Sequence, residues 1–260
     1  VKVDVGIVGD VRTVLDQLLP GVQMQRHGEW LNKIRDWQED TDERDIINRD
    51  DGGKLLGAQV INDLWRYTNG NAVTVTDVGQ HQMTEAQYYP HQRPKTLITS
   101  GGAGTMGFGL PASIGAKFGR PDEEVWAIVG DGGFQMTLCE LATAKQENIK
   151  VNIAIINNAY LGMVRQWQEF FYEKRYEATP MLSPDFVKLA EAYGIPAVRV
   201  TNRDQIEDAV AFVRSIDGPA LIEFVVEKEE IVYPMVPAGA DLHAMIRRPK
   251  PGEEPAKEQK

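Results

Sequence analysis

Two short polar turns, each directly after an apolar run, constrain the fold of this chain more than any other feature. Gly130-Asp131-Gly132-Gly133 follows the run 125–129, and Asn157-Asn158 follows the run 151–156. Short runs rich in β-branched residues are typical of buried parallel strands. A segment of helical length, about 135–148, lies between them. The stretch therefore predicts a strand–helix–strand unit that brings both turns to the carboxyl edge of one sheet.

The residue types at these turns indicate a site for an anion and a hard metal ion. Glycines around Asp131 allow backbone N–H groups to approach an anion at the start of the following helix. Asp131 and Asn158 offer oxygen ligands, which suit Mg²⁺, and Mg²⁺ completes its shell with phosphates and water. We predict a Mg²⁺–diphosphate site. The alternative on these residues alone is a tight glycine turn beside an unrelated asparagine turn.

The rest of the chain alternates strand-like and helix-like segments. This alternation predicts an α/β fold, a parallel sheet with helices on both faces and ligands at the carboxyl ends of the strands. Further strands are predicted at 3–8, 72–77, 198–200 and 220–226, and a long loop at 78–95. Helices are predicted at 11–19, with Asp10 as N-cap, at 30–40, 55–67, 106–118, 161–172 and 206–213, and after Ser183, with Pro184 at the first helical position.

Composition excludes several classes of partner. The 260 residues carry a net charge of −10, which argues against nucleic acid and anionic membranes as partners. No apolar run approaches the roughly 18 residues that span a bilayer. The single cysteine, Cys139, cannot form an internal disulfide, and we expect a reducing, cytoplasmic location. The chain opens inside an expected strand with no leader pattern, which predicts a fragment or a processed product.

Three further segments carry a family resemblance. The GDG and NN turns, 24 residues apart, resemble the thiamine-diphosphate motif. The segments 77–83 (DVGQHQM), 100–111 (SGGAGTMGFGLP) and 159–168 (AYLGMVRQWQ) resemble, in the same order, the catalytic subunit of acetohydroxyacid synthase (acetolactate synthase). The resemblance covers nearly the whole chain and thins in about the last dozen residues. It implies the thiamine-diphosphate-binding fold.

One rival motif points to another class of protein. Gly102, Gly104 and Gly107 match the dinucleotide-binding pattern G-x-G-x-x-G, which would suit a nicotinamide-dependent dehydrogenase. However, the glycines around Asp131 suit phosphate better than ribose, and the rival leaves Asn157-Asn158 without a role.

The resemblance implies a set of metal and cofactor ligands. The metal would be held by the side chains of Asp131 and Asn158 and by the backbone carbonyl of Tyr160. The residues implied to contact the diphosphate are Gln80, His81, Gly132 and Gly133. The further cofactor contacts that it implies are Val78, Gly79, Gly130, Leu161 and Gly162.

The resemblance also assigns the residues nearest the chemistry. Met106 would wedge between the two rings of the cofactor, and Gly104, Met163 and Val164 would line its aminopyrimidine. Trp167 would form the wall of the substrate pocket and favour 2-ketobutyrate as second substrate. By pattern alone, the methionines could also be core residues. Trp167 could likewise be an aromatic residue that buries apolar surface on one face of a helix. The residues assigned to catalysis are Gln80, Met106 and Trp167.

The implied activity depends on thiamine diphosphate and Mg²⁺. Pyruvate would condense, with loss of CO₂, with a second pyruvate or with 2-ketobutyrate, giving acetolactate or acetohydroxybutyrate in valine, leucine and isoleucine biosynthesis. Alternatives are glyoxylate carboligase, sulfoacetaldehyde acetyltransferase, pyruvate oxidase and a non-catalytic cofactor-binding module. The intact enzyme is implied to bind FAD, to form a homodimer or tetramer with its active site at the subunit interface, and to bind a regulatory small subunit.

The same resemblance divides the chain into three parts. Residues 1–45 are implied to be the tail of a middle, FAD-type domain and a linker, with a polar linker at 41–53. Residues 46–246 form the thiamine-diphosphate- and Mg-binding domain, and 247–260 a disordered tail rich in Pro, Glu and Lys. A catalytic glutamate comes, in this family, from a separate N-terminal domain, so we expect the isolated chain to bind the cofactor weakly and to turn over little.

Overall fold

The structure, a computed structural model, describes residues 2–49 and 52–253. The chain divides into two units, Val1–Arg44 and Asp45–Lys260. Within the described ranges, none of the helices combines the length and the apolar composition needed to cross a membrane.

The first unit consists of two helices. Helix α1, Val11–Leu18, begins as predicted at Asp10, whose Oδ1 accepts a hydrogen bond of 3.0 Å from the Thr13 N–H. A short 3₁₀ turn, Leu19–Gly21, follows it, and α2 spans Gly28–Glu43. Residues 3–8, all described, form no strand. The strand prediction there is wrong because a strand needs a hydrogen-bonded neighbour, and these residues pair with none of the described strands.

The second unit is a six-stranded, all-parallel sheet with helices on both faces, as predicted. Its strands are β1 Val73–Thr76, β2 Leu97–Thr99, β3 Val125–Gly130, β4 Asn152–Asn157, β5 Ala197–Val200 and β6 Ala220–Val225. Its helices are α3 Gly57–Thr68, α4 Gln80–Tyr88, α5 Gly109–Gly119, α6 Asp131–Thr137, α7 Glu140–Gln146, α8 Gly162–Phe171, α9 Phe186–Ala192 and α10 Ile206–Ser215. The strand order is β2-β1-β3-β4-β6-β5.

Alternate residues of the central strands belong to two separate apolar cores. Trp126 and Ile128 of β3 pack with residues of α3 and α10, whereas Ala127 and Val129 pack with residues of α5, α7 and α9. Successive side chains of a strand point to opposite faces, so the two cores cover the two faces of the sheet. This burial on both faces explains why β3 and β4 read as continuous apolar runs.

Several predicted elements differ from those observed. The predicted loop 78–95 contains α4, and the edge strand β2 was not predicted. The predicted helix 135–148 is two helices, α6 and α7, because Leu138 and Cys139 have ψ near −20°, as in a 3₁₀ turn. Pro184 lies before α9 rather than at its first helical position, since Asp185 is the N-cap.

Parts of the predicted linker and tail belong to the second unit and are packed within it. Helix α2 continues to Glu43, and Ile46 and Ile47 are buried in a small core with Leu56. Arg248 donates a hydrogen bond of 3.1 Å to the Ile231 carbonyl. Residues 254–260 of the predicted tail lie outside the described residues.

The strand order fixes where a ligand site is expected. The chain leaves β1 toward the edge strand β2, but leaves β3 in the opposite direction toward β4. Ligands of open parallel sheets bind in the crevice at such a reversal, outside the carboxyl ends of the strands. Register pairs Thr76 with Ile128 and Gly130 with Ile156, so the turns after β1, β3 and β4 share one edge.

Candidate functional site

A pocket lies at the carboxyl edge of the sheet, and most of the predicted site residues line it. They are Val78, Gly79, Gln80, His81, Met106, Gly130, Asp131, Gly132, Gly133, Asn158, Tyr160, Leu161, Gly162, Met163 and Val164. Two predicted residues, Gly104 and Trp167, are not among the lining residues. Trp167 is 38% exposed and packs on Phe171 with ring centroids 5.1 Å apart.

Part of the pocket wall was not predicted from the sequence. These residues come from the start of α3, from α4, from β4 and from the segment that follows β6. They are Gly57, Ile61, Thr84, Ile156, Val226, Glu227, Glu230 and Val232. They belong to no recognisable motif, and only the tertiary fold brings the two ends of the domain together here.

Asp131 is a buried carboxylate at the centre of the site. It follows β3 directly and is 2% exposed. Burial raises the pKa of Asp131 to about 6, opposed by the hydrogen bond of 2.9 Å that the Ser183 hydroxyl donates to Oδ2. Among the described residues, no basic side chain forms an ion pair with Asp131. A bound cation would supply the positive charge that this buried group lacks.

The two asparagines of the second turn have different surroundings. Asn157, at the end of β4, donates a hydrogen bond of 2.7 Å to Oε1 of buried Glu223 and so faces the sheet. Asn158 lines the pocket, and its Oδ1 accepts a hydrogen bond of 3.0 Å from the Tyr160 N–H. Between them and Tyr160, Ala159 has a left-handed φ of 56°, which turns the chain sharply. Of the two asparagines, Asn158 is therefore the one positioned toward a ligand.

His81 is held by the backbone of the strand end. Its Nε2 accepts a hydrogen bond of 3.1 Å from the Gly130 N–H. Burial lowers the pKa of His81 to about 4, although the charge of Asp77 opposes the shift, so the imidazole is neutral at pH 7. The structure thus gives His81 a supporting contact, and its contact with a diphosphate stays a prediction.

Asp77 joins the end of β1 to the glycine-rich segment before α5, a role that the sequence did not reveal. It is fully buried at the end of β1, and its carboxylate accepts hydrogen bonds from the N–H groups of Gly107, at 3.0 Å, and Gly109, at 2.7 Å. In the dinucleotide motif the glycine loop opens a helix, whereas α5 begins only at Gly109, after all three glycines of 102–107. The structure therefore argues against the dinucleotide interpretation of this segment.

The glycine turn is closely packed on its neighbours. A Cβ on Gly133 would lie 2.7 Å from Cγ of Asp77, and one on Gly130 would lie 2.8 Å from Cε1 of His81. A Cβ on Gly132 would lie 3.0 Å from Cδ2 of Leu161. Side chains at these positions would therefore collide with the walls of the pocket.

The donor set fits Mg²⁺ bound together with a phosphate ligand. In residues 2–49 and 52–253 there is no cluster of three or more His, Cys, Asp and Glu side chains that could hold a metal alone. A metal here would use the Asp131 carboxylate, an amide oxygen and a backbone carbonyl. Mg²⁺ accepts such a sparse oxygen set when phosphates and water supply its remaining ligands.

Several known proteins are similar to this chain over most of its length. The acetolactate synthase large subunit of Lactococcus lactis is 43% identical over 255 residues, which are 95% of this chain and 42% of that protein. The acetolactate synthase isozyme 3 large subunit of Escherichia coli is 41% identical over 94% of this chain and 44% of that protein. A mitochondrial acetolactate synthase of Schizosaccharomyces pombe is 44% identical over 92% of this chain and 37% of that protein.

The chain spans roughly two fifths of the length of these relatives. A family model also matches residues 77–224, which begin directly after β1 and include β2 to β5, α8 and all but the last residue of β6. This range contains both polar turns and most of the pocket. The chain therefore belongs to the family described as "Thiamine pyrophosphate enzyme, C-terminal TPP binding domain".

Proposed function

We propose that this chain holds thiamine diphosphate and Mg²⁺ in an acetolactate synthase. The observation that carries the proposal is the convergence of Asp131 and Asn158, from neighbouring strands, in one pocket with Gln80 and the glycine turn. The names of the relatives support the reaction, and the family membership supports the cofactor.

In this proposal, Mg²⁺ is held by the side chains of Asp131 and Asn158 and by the backbone carbonyl of Tyr160. The diphosphate would contact Gln80, His81, Gly132 and Gly133. Buried, uncompensated Asp131 supplies the negative charge, and the close-packed glycines line the pocket beside it. The other lining residues would enclose the rest of the cofactor.

The cofactor supplies the electron sink for decarboxylation of a 2-keto acid, and the protein supplies position and surroundings. Met106 and Met163 present apolar thioethers to the pocket, which would exclude water and hold the rings. Val164 also lines the pocket. Trp167, on the same helix but outside the pocket lining, would bound the space for the second substrate.

The substrates that we propose are pyruvate and, as acceptor, a second pyruvate or 2-ketobutyrate. The products would be acetolactate or acetohydroxybutyrate, for valine, leucine and isoleucine biosynthesis. A panel of 2-keto acids and glyoxylate, given to the full-length protein, would separate this reaction from those of glyoxylate carboligase, sulfoacetaldehyde acetyltransferase and pyruvate oxidase. Carboligation with glyoxylate alone would contradict the proposal.

The whole enzyme would include parts outside this chain. We propose that residues 1–45 belong to a FAD-binding middle domain, that 46–246 form the cofactor domain, and that a separate N-terminal domain supplies the catalytic glutamate. A homodimer or tetramer, a regulatory small subunit and a cytoplasmic location complete the proposal. We expect the 260-residue chain alone to bind the cofactor weakly and to make little acetolactate.

The first test is calorimetric titration with thiamine diphosphate, with and without Mg²⁺, on this chain and on the full-length protein. Binding should require Mg²⁺ and should disappear in Asp131→Asn, because the metal loses its charged ligand. Asp208→Asn, an exposed change on α10, is the matched control and should bind like the wild type. Binding without Mg²⁺, or unchanged binding in Asp131→Asn, would contradict the proposed metal site. If neither protein binds, a nicotinamide titration tests the rival motif.

A further inference from the structure

We propose that Gln166, which is not among the residues lining the pocket, is a positioning residue that fixes the amide of Asn158 through Gln80. The three side-chain amides form a chain of hydrogen bonds that runs from the segment after β6 to the proposed metal ligand. The inference rests on the proposed function, because it concerns how the Mg²⁺ site is held in shape.

One end of the chain is set by the backbone of Val232. Gln166, on α8, is fully buried, and its Nε2 donates a hydrogen bond of 2.9 Å to the Val232 carbonyl. Its Oε1 accepts a hydrogen bond of 2.9 Å from the Val232 N–H. A peptide unit cannot exchange its donor and its acceptor, so the Gln166 amide fits in one orientation only.

That orientation dictates the orientation of Gln80. The Nε2 group of Gln80 donates to Gln166 Oε1 at 2.9 Å and to the Glu230 carbonyl at 3.0 Å. Both partners are acceptors, so the NH₂ group of Gln80 must face them and its Oε1 must face away. This Oε1 accepts a hydrogen bond of 3.2 Å from Asn158 Nδ2.

The last amide in the chain is that of Asn158. Because Nδ2 is committed to Gln80, Oδ1 is turned to the Tyr160 N–H, at 3.0 Å. A carbonyl oxygen has two lone pairs, and this hydrogen bond uses one of them. The other can bind a cation. A flipped Asn158 would instead present an NH₂ group, which cannot.

Gly162 supplies an independent observation. A Cβ at this position would lie 2.7 Å from Asn158 Nδ2 and would overlap Oε1 of Gln80. The first residue of α8 therefore leaves free the space in which the two amides meet. The contact between Gln80 and Asn158 depends on this space as well as on Gln166, which lies one turn further along the same helix.

The test compares two glutamines of α8 in the full-length protein. Gln168 makes the same paired contact with a backbone residue, since Nε2 donates to the Glu177 carbonyl at 3.0 Å and Oε1 accepts from the Glu177 N–H at 3.1 Å. Gln168→Leu is therefore the matched control for Gln166→Leu. The measured quantity is the apparent dissociation constant of Mg²⁺ at a fixed thiamine diphosphate concentration, by calorimetry.

We expect Gln166→Leu to raise this dissociation constant at least about tenfold, because Gln80 loses the acceptor that orients it. Gln168→Leu should change it less than about twofold. In a double-mutant cycle, Gln166→Leu should add less than about twofold in an Asn158→Ala background, where no amide remains to be oriented. Unchanged Mg²⁺ affinity in Gln166→Leu, or effects that multiply in the double mutant, would overturn the proposal.

A second variant keeps the test decisive if Gln166→Leu does not fold. Gln166→Glu retains an acceptor for Gln80 and for the Val232 N–H, so it should recover most of the Mg²⁺ affinity. A tenfold loss in Gln166→Glu, with a wild-type thermal midpoint, would contradict the proposal. Failure of the proposed function is recognised separately, because the wild type itself would then show no Mg²⁺-dependent binding.

Discussion

His81 shows how burial at the edge of the sheet selects a protonation state. Its Nε2 accepts the Gly130 N–H, a role that only the neutral ring can fill. The lowered pKa of His81, about 4 against an ordinary value of 6.5, expresses the same preference. At the residue scale, this imidazole is part of the scaffold that holds the glycine turn.

The preference of the folded chain for neutral His81 predicts that the protein is less stable in acid. Between pH 6.5 and about pH 4, His81 is mostly protonated in the unfolded chain and mostly neutral in the folded chain. The free energy of unfolding should therefore fall between these pH values, by up to roughly 3 kcal/mol from this group. Urea denaturation at pH 7 and pH 4.5 measures the fall, which should be smaller in His81→Gln. Exposed His243→Gln is the control and should retain the wild-type pH dependence.

Ala159 is strained because it is a non-glycine residue in the left-handed region. A β-branched side chain tolerates this φ poorly, so Ala159→Val should lower the free energy of unfolding by about 1–2 kcal/mol. Ala142→Val, an exposed change in α7, should cost less than about 0.7 kcal/mol in the same urea titration. Equal costs in the two variants would show that the turn is not strained.

At the element scale, α4 explains where prediction from the sequence failed. The helix buries His81, Thr84 and Glu85 toward the sheet, so it has no apolar periodicity to identify it. Glu85 is fully buried and accepts hydrogen bonds from the Thr74 hydroxyl, at 2.6 Å, and from His91, whose Nε2 lies 2.9 Å away. Polar contacts with β1 and with the loop after α4 fix this helix, and a pattern of apolar residues cannot show them.

Glu85 is therefore a sensitive position in α4. Glu85→Ala leaves the Thr74 hydroxyl and the His91 ring without their buried partner, and should cost about 2–4 kcal/mol of unfolding free energy. Glu85→Gln retains an oxygen acceptor and should cost less. Exposed Glu191→Ala on α9 provides the baseline in the same denaturant titration. A loss in Glu85→Ala no larger than this baseline would mean that packing alone holds α4.

At the scale of the whole molecule, the pocket is closed by contacts between the two ends of the second unit. The N–H of Gly57, at the start of α3, donates a hydrogen bond of 2.7 Å to Oε2 of Glu230. Residues 227–235, which we call the closing segment, include Glu230 and Val232. Gln166 of α8 forms two hydrogen bonds with the backbone of Val232 in this segment. Both ends of the domain thus contribute to the wall of the pocket that contains the glycine turn.

Removing this link should loosen the closing segment. In Glu230→Ala, the start of α3 loses the carboxylate that accepts its N–H groups, so the amides of residues 227–235 should exchange with deuterium at least about fivefold faster. Lys228→Ala, a change at an exposed residue of the same segment, is the control and should leave exchange unchanged. Identical exchange in both variants would assign the closure to Gln166 alone.

The sequence predicted the central strands, their parallel arrangement and the carboxyl edge at which the site lies, because β3 and β4 are apolar throughout and end in distinctive turns. It predicted most of the pocket by resemblance to a family motif. Glu230, Val232 and Gln166 could not be found in this way, since their contacts join segments more than 60 residues apart along the chain. Asp77 lay inside a predicted motif, yet only the structure shows its bonds to Gly107 and Gly109.

The close packing of the glycine turn affects how sequence changes among members of this family should be interpreted. Gly130 and Gly133 lack room for a side chain because His81 and Asp77 occupy the space in a structure that holds no cofactor. A descendant that had lost its enzymatic activity would still be selected to keep both glycines, since folding alone requires them. The buried charge of Asp131 destabilises the fold when no cation is bound, so selection would no longer preserve this aspartate. Loss of the aspartate amid retained glycines would therefore mark a pseudoenzyme.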